Sequence, residues 1–402
     1  MTDLDRLIAE LCPDGVEYMP LGDVCLPTMN INWQREGMRN EYQYIDLTSV
    51  ERETHSISET QTITATAAPS RAQQVVQEND VIFGTTRPLL KRYCSVPPEY
   101  NGQICSTGFC ILRADPTLVL PRYIYHQIGT QNYYEYIETV QRGASYPAVA
   151  NSDVKRYAIP LPPLPVQQEI VRMLDTFTRL TAELEAELEA ELEARKKQYE
   201  YYRNHLLTFG ENRATLLTDR QTDRQTQWLT LNEVGIMRRG TYVTQKNTVQ
   251  GDIPVILGGQ EPAYYCDTCN HEGEAIVMSR SGAYAGFVSF WNQPIFVTDG
   301  FILETNDELN IKYLYYYLKN MQDALHEMKR GGGVPHVRGN EVMNIKIPVP
   351  PLNKQAHIVA ILDRFDALTN DITSGLPAEI KARRKQYEYY RDKLLTFKEK
   401  TA

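Results

Sequence analysis

The feature that most constrains this chain is that its plan is written twice. Residues 159–209, IPLPPLPVQQEIVRMLDTFTRLTAELEAELEAELEARKKQYEYYRNHLLTF, align without a gap on 347–397, IPVPPLNKQAHIVAILDRFDALTNDITSGLPAEIKARRKQYEYYRDKLLTF, with about 29 of roughly 51 positions identical. The match continues upstream. RGASYPAV, from Arg142 to Val149, lies over RGGGVPHV, from Arg330 to Val337. STGFCIL (106–112) parallels TDGFILE (298–304), NDVIFGTTR (79–87) parallels GEAIVMSRS (273–281), and VEYMPLGDV (16–24) parallels TQWLTLNEV (226–234). Each copy is therefore a divergent globular part followed by a near-invariant helical part.

Local physics accounts for the helical parts. Pro162 and Pro163 stop an extended segment and Pro165 can open a helix, since proline fixes φ and lacks an N–H that the first turn does not need. Ile170, Val171, Leu174, Phe177, Leu180, Leu184, Leu188 and Leu192 recur at spacings of three and four, an amphipathic stripe. Three ELEA tetrads, Glu183 to Ala194, are built from strong helix formers, and nothing before Leu207 breaks the run. About forty residues at ~1.5 Å each span roughly 60 Å, so the rod should pack against another helix. In the second copy Ser374, Gly375 and Pro377 interrupt the pattern and should break or kink it. A duplicated chain folds most simply about a pseudo-two-fold axis, with its two long helices antiparallel.

The globular parts are mixed α/β. YQYIDL (42–47), DVIFG (80–84), AIVMS (275–279) and PIFVTDG (294–300) read as strands, and PRYIYHQI (121–128) and IKYLYYYLKNMQDALHEM (311–328) as helices. The boundaries expected are a first domain at 1–158, a first long helix at 159–209, a linker and second domain at 210–346, and a second helix at 347–402, broken near 374–377.

Two variable domains alternating with long helices that end near KQYEYYR…LLTF resemble the specificity subunit of type I restriction–modification enzymes. The resemblance runs over nearly the whole chain. It also rests on the IP-x-PPL entry to each helix, APSRAQQ (68–74), RGASYPAV and VSFWNQPIFVTDGF (288–301), and on the ELEA tandem. It implies two target-recognition domains, each reading half of a split double-stranded DNA site, spaced by an antiparallel coiled coil. It implies two methyltransferase subunits as partners, with translocase–nuclease restriction subunits added through the complex. S-adenosylmethionine, ATP and magnesium would be held by those partners, and no cofactor by this chain.

The residues themselves offer no enzyme. A methyltransferase needs a donor loop and an N/D-P-P-Y/F motif, and VPPEY at Val96 to Tyr100 lacks the polar first residue and inserts Glu99. There is no G-x-x-x-x-G-K-S/T loop. The E-x-K triplets at Glu327 and Glu379 are of a kind found by chance. Cys266-x-x-Cys269 with His271 lacks a second ligand pair, so no metal is expected.

Base reading needs small polar or fork-shaped donors on loops. In the first domain Ser70, Arg71, Thr86, Arg87, Lys91 and Arg92 qualify, and in the second Ser279, Arg280, Ser281, Gly282 and Tyr284. The repeated R-G-x-x-x-P loop adds Arg142, Gly143, Ser145 and Tyr146, then Arg330, Gly331, Gly332, Gly333 and His336. Its glycines let a backbone approach phosphate, and its arginines suit phosphate or guanine. The plainer alternative is that the arginines pair with carboxylates and the glycines turn the chain. The repeated basic, tyrosine-rich segments, with Arg195, Lys196, Lys197, Tyr199 and Tyr202 and then Arg383, Arg384, Lys385, Tyr387 and Tyr390, suit two identical partner subunits. Alternatively they pair with each other to hold the helices.

Charge tempers the nucleic-acid reading. The net charge is −9 and the pI about 5.4, so the isolated chain should bind DNA weakly and salt-sensitively, with partners supplying most phosphate contacts. A scaffold whose repeated domains bind proteins is the rival function. Seven irregularly spaced cysteines read as reduced thiols of a cytoplasmic protein. The first residues lack the pattern of a signal peptide, and no stretch is apolar enough for a membrane span.

Overall fold

In the computed structural model, residues 3–209, 226–370 and 375–400 are described. The chain forms two compact units, Met1–Glu187 with Ile380–Ala402, and Leu188–Glu379. The units do not follow the linear order of domain and helix: each contains one domain, the start of the helical part that follows it, and the end of the other copy's helical part.

The first unit holds a five-stranded and a four-stranded sheet. The five-stranded sheet runs Met29–Asn30, Ala72–Val75, Ile104–Ser106, Glu41–Ile45, Gln61–Thr64, and its Glu41–Ile45 and Ile104–Ser106 strands are parallel. The four-stranded sheet runs Cys25–Leu26, Phe109–Ala114, Val81–Gly84, Tyr93–Ser95 and is antiparallel throughout. Val81, Ile82, Phe83 and Gly84 are all buried, which explains why this strand reads as an unbroken apolar run. The second unit repeats the four-stranded order with Gly235–Arg239, Gly300–Thr305, Glu274–Ser279, Val288–Asn292. Its other sheet has only three strands, Tyr264–Cys266, Ile253–Ile256 and Phe296–Val297. The expected strand 294–300 is thus two short pieces, because Thr298 and Asp299 turn the chain between Phe296–Val297 and Gly300–Thr305.

Each domain closes on itself where the chain enters and leaves. Tyr18–Pro20 pairs antiparallel with Ala158–Pro160, and Gln227–Thr230 with Lys346–Val349. The proline-rich exit then hands the chain to a helix. The first is Leu164–Leu207, 44 residues or about 66 Å. The second copy gives two helices, Leu352–Asn370 and Leu376–Leu394, with Gly375 and Pro377 at the second start; Ser374 lies outside the described residues.

A buried glutamine bolts each helix to its domain. The Gln167 amide donates to the carbonyls of Leu118 and Pro162, at 2.9 and 2.8 Å, and its carbonyl accepts from the Leu120 N–H at 2.9 Å. Gln355 repeats this with Glu308 and Pro350 as acceptors and Asn310 as donor. Two turns on, Asp175 accepts from Arg122 and His126 of the domain helix Pro121–Gln127. Asp363 occupies the same place with Lys312 and Tyr316 as donors.

The cores show why the units interleave the copies. In the first, Val166, Ile170 and Leu174 pack with Tyr123, Ile124, Tyr133 and also Leu395. In the second, Ile358, Val359 and Leu362 pack with Tyr313, Leu314 and also Tyr199, Leu206 and Leu207. Within the first unit Thr178 meets Tyr387 and Glu185 meets Arg384, so numbers rise along one helix as they fall along the other, and the pair is antiparallel. Phe177 and Leu180 depart from the expected buried stripe. They are 36% and 48% exposed and line a shallow cavity of about 250 Å³ with Leu184, Arg383, Gln386 and Tyr390.

Candidate nucleic-acid interface

In both domains the chain leaving a buried strand of the four-stranded sheet is clasped by the R-G-x-x-x-P loop. After Val81–Gly84, the Thr85 carbonyl accepts from the Val149 N–H at 2.9 Å, and the Arg87 N–H donates to the Pro147 carbonyl at 2.7 Å. After Glu274–Ser279, the Arg280 carbonyl accepts from the Val337 N–H, and the Gly282 N–H donates to the Pro335 carbonyl, both at 2.9 Å. The loop is a small hairpin in each case, Arg142 bonding Ala148 and Arg330 bonding His336. Gly143 and Gly331 turn it at φ 98°, a left-handed conformation that glycine adopts without steric cost. These bonds make Thr85 equivalent to Arg280. The sequence alignment set Thr85 over Ser279, one residue out of step, because the strand before the clasp carries no residue that marks its end.

The clasp gathers several of the first domain's candidates on one edge. The Arg71 carbonyl accepts from the Thr107 N–H, and the next residue, Gly108, accepts from the Thr85 N–H and hydroxyl. Arg71, Arg87 and Arg142 are exposed there. The Arg142 side chain is 83% exposed, with the buried Asp153 carboxylate 3.7 Å away. Arg87 has φ 49° and lies over the Tyr146 ring at 4.5 Å, with Tyr146 itself 71% exposed. A guanidinium held on an exposed aromatic ring keeps its edge donors available.

Two first-domain candidates turn inward. The Arg92 guanidinium donates to the Val50 carbonyl at 2.5 Å, and Lys91 is half-buried over the Tyr134 ring at 4.8 Å. Arg92 ties this segment to Val50 and Lys91 lies against the helix Gln131–Val140. Ser70 is exposed, as are Ser145 and Gly143, while Thr86 is half-buried beside Ala148.

The second domain differs at the corresponding edge. Ser279 is 2% exposed and faces the interior as the last residue of its strand, so it cannot reach a base. Arg280 donates from Nε to the Asp299 carboxylate at 2.8 Å, and the Ser281 hydroxyl donates to the same carboxylate. Arg280 and Ser281 thus share one carboxylate at this edge. Tyr284, 46% exposed, and the exposed Arg330, Gly331, Gly332 and Gly333 sit on the same edge, with His336 half-buried at the hairpin's return. Asp299 lies inside the TDGF match yet was not singled out. Its signal was a carboxylate where the first copy carries Thr107.

The repeated basic segments divide into inward and outward residues. Tyr199 is buried in the second core, its ring 6.2 Å from Phe365, and Tyr202 stacks on Phe365 at 5.4 Å. The Tyr387 hydroxyl meets that of Thr178 at 2.8 Å, and Arg384 donates to Glu185 at 3.1 Å. Burial takes Tyr199 out of reach of an outside partner, while Tyr202, Tyr387 and Arg384 make helix contacts and stay partly exposed. Arg195 pairs with Glu191 and Lys197 with Glu193 along the helix. Lys196, Arg383, Lys385 and Tyr390 face outward. So do Tyr201 and Tyr389, 59% and 61% exposed at equivalent places, which sequence reading passed over.

Near the C-x-x-C segment, Cys269, His271 and Glu304 border a cavity of about 370 Å³ with Arg238, Asn270 and Glu272. Cys266 is buried and bonded to the Thr268 carbonyl. Among the described residues no three His, Cys, Asp or Glu side chains converge as a metal set, and no helix is long and apolar enough to cross a membrane.

A sequence family described as the type I restriction modification DNA specificity domain matches residues 13–194 and 226–382. The chain is similar to a putative type I restriction enzyme specificity subunit of Haemophilus influenzae, 35% identical over 297 residues, 69% of this chain and 72% of that one. It is similar to the EcoR124I/EcoR124II specificity subunit of Escherichia coli, 32% identical over 320 residues, 71% and 73% of the two chains. Among solved structures, a chain from a study of complex assembly and conformational transition of the type I R-M system superposes with a TM-score of 0.75 at 26% identity, covering 95% of this chain and 98% of that one. The HsdS subunit of Thermoanaerobacter tengcongensis superposes with a TM-score of 0.60 at 26% identity, 96% of each chain being covered.

Proposed function

Because the chain belongs to the type I restriction–modification DNA specificity family, we propose that its two domains read the two halves of a split, asymmetric DNA site through their clasped edges. The chain's role is DNA sequence specificity, and it is not itself the enzyme. The observation that carries the two-half reading is the clasp: one backbone arrangement built twice, on which the side chains differ. The edge in the first domain presents Arg71, Arg87 and Arg142, and in the second Arg280, Tyr284 and Arg330. Conserved backbone with divergent donors is what two readers of different half-sites require.

The partners follow from the same reading. Two methyltransferase subunits bind the outward-facing parts of the repeated helices, and restriction subunits join through them. S-adenosylmethionine, ATP and magnesium belong to those subunits. The acidic chain leaves most phosphate neutralisation to them as well, since counterion release needs Lys and Arg. On this reading the 44-residue helix Leu164–Leu207 is the spacer, and its length sets the gap between half-sites. One tetrad adds about 6 Å of helix, against ~3.4 Å per base pair of DNA.

The test is methylome sequencing of DNA modified by the chain co-expressed with its methyltransferase partner, for the native chain and for one lacking an ELEA tetrad. A split motif whose gap shortens by one or two base pairs, with both halves unchanged, is the expected result. Assembled subunits that methylate without sequence preference would overturn the reading in favour of a protein-binding scaffold.

A further inference from the structure

Resting on the reading of each domain as a half-site reader, we propose that Asp299 is a positioning residue that aims the Arg280 guanidinium fork at a guanine in the half-site of the second domain. The geometry is specific. Arg280 gives its Nε to Asp299 at 2.8 Å, and among the described residues neither terminal nitrogen is spent on another protein group. Those two terminal nitrogens are the pair that meets O6 and N7 on the major-groove edge of guanine. The side chain is anchored at its root as well. The Arg280 N–H donates to the Asp299 carbonyl, and its own carbonyl accepts from Val337.

The carboxylate is equally fixed. Asp299 precedes the strand Gly300–Thr305, and the Thr298 N–H before it donates to the Ile256 carbonyl at 2.9 Å. The Ser281 hydroxyl donates to the second carboxylate oxygen. Arg280 and Asp299 side chains are 29% and 31% exposed, so the pair lies at the surface without being freely solvated. A pair so placed adds little to stability, and stability does not account for a carboxylate on an edge that faces DNA. Beside phosphate it is repulsive. It cancels the charge that would draw Arg280 to the backbone, while the hydrogen-bonding capacity of the fork survives. The first domain shows the contrast. There Thr85 occupies the Arg280 place and bonds Gly108, and the outward arginine is Arg87, held by the Tyr146 ring instead. The two edges therefore aim their arginines from different backbone positions, as readers of unlike half-sites must.

The experiment is the methylome of the chain assembled with its methyltransferase partner, for Arg280→Ala, Arg280→Lys, Asp299→Asn and the double variant Asp299→Asn/Arg280→Ala. Arg87→Ala marks the other half-site. Arg280→Ala is expected to reduce the preference for guanine at one position of one half-site by about 5- to 150-fold, leaving the other half intact. Arg280→Lys keeps the charge, loses the fork and relaxes the same position. Asp299→Asn relaxes it in the same direction but less, and the double variant is no worse than Arg280→Ala. A uniform fall in methylation with the motif unchanged in the Arg280 variants would make Arg280 a phosphate contact and overturn the proposal. Relaxation by Arg280→Ala without any by Asp299→Asn would remove the role of Asp299. In either case the native chain still yields its split motif. Failure of the native chain to do so is the separate failure of the reading on which this rests.

Discussion

Single residues at repeated positions do the fastening, and the repeat makes their contributions separable. Gln167 is fully buried and satisfies one N–H and two carbonyls where the domain hands over to the helix. Gln167→Leu keeps the volume but leaves those groups unpaired. It should lower stability by about 3 kcal/mol or more, read as a fall in the urea midpoint. Gln355→Leu should do the same in the second unit, and a null effect at both positions would show that water replaces the amide. Asp175 gives a pH-dependent counterpart. Burial raises its carboxyl, but hydrogen bonds from His126 and Arg122 outweigh that and hold it down to about 2. A carboxylate depressed in the folded state contributes stability that is present above its unfolded pKa near ~3.9 and is lost as pH falls toward about 2. Unfolding midpoints measured from pH 5 to pH 2 should therefore fall less steeply in Asp175→Asn than in the native chain. An identical slope would mean the Arg122 and His126 contacts are not kept in solution.

At the scale of elements, the clasp hairpin is where local backbone and function meet. Gly143 stands at φ +98°, and a Cβ there would lie 3.0 Å from the Tyr146 carbonyl oxygen. Gly143→Ala combines left-handed strain with a backbone clash and should cost about 1–3 kcal/mol. It should also weaken recognition at the first half-site by displacing Tyr146 from Arg87. Gly332, with no positive φ and nothing within 4 Å of an added Cβ, should accept alanine without loss of stability. Calorimetry of both variants checks the contrast. The sequence made the loop visible, though not its hairpin pairing, because RG and P recur at fixed spacing. The long helix was visible because leucines recur at three and four over a run of good helix formers. Strand order was not, since a four-residue apolar run such as Val81–Gly84 carries no mark of its neighbour. The tyrosines could have been divided by the same repeat: Tyr199 and Tyr202 continue the three-and-four spacing of Leu188 and Leu192 and are covered, while Tyr201, about 200° round the helix from Tyr199, is in solvent. Arg92 and Lys91 misled because a basic residue beside a loop looks the same whether it faces DNA or a carbonyl across the fold.

At the scale of the whole molecule, duplication has produced interdependence between copies that the linear order hides. The first core is completed by Leu395, with Leu394 and Phe397 packed against it, and the Tyr18 hydroxyl donates to the Phe397 carbonyl at 2.9 Å. The Val16 N–H donates to the Lys398 carbonyl and the Val16 carbonyl accepts from Lys400, so residues at the far end of the chain add backbone bonds to the first unit. Gly15 permits this: at φ +98°, a Cβ would stand 2.5 Å from the Lys398 carbonyl oxygen. Buried Arg391 lies beside Gly129 as well. A chain ending at Glu379 should therefore damage the unit farther from the deletion in sequence. Hydrogen exchange should show amides of Tyr123–Ile137 losing protection, while those of Tyr313–Leu325, in a core that among the described residues draws nothing from beyond Glu379, keep theirs. Lost protection confined to the second unit would mean that each domain is closed by its own helical part, and the interleaving of the copies would have to be abandoned. The methylome of the same truncation carries the argument to function. With the first unit loosened and the second intact, the half-site that Arg87→Ala alters should lose its sequence preference first, although every residue removed belongs to the second copy.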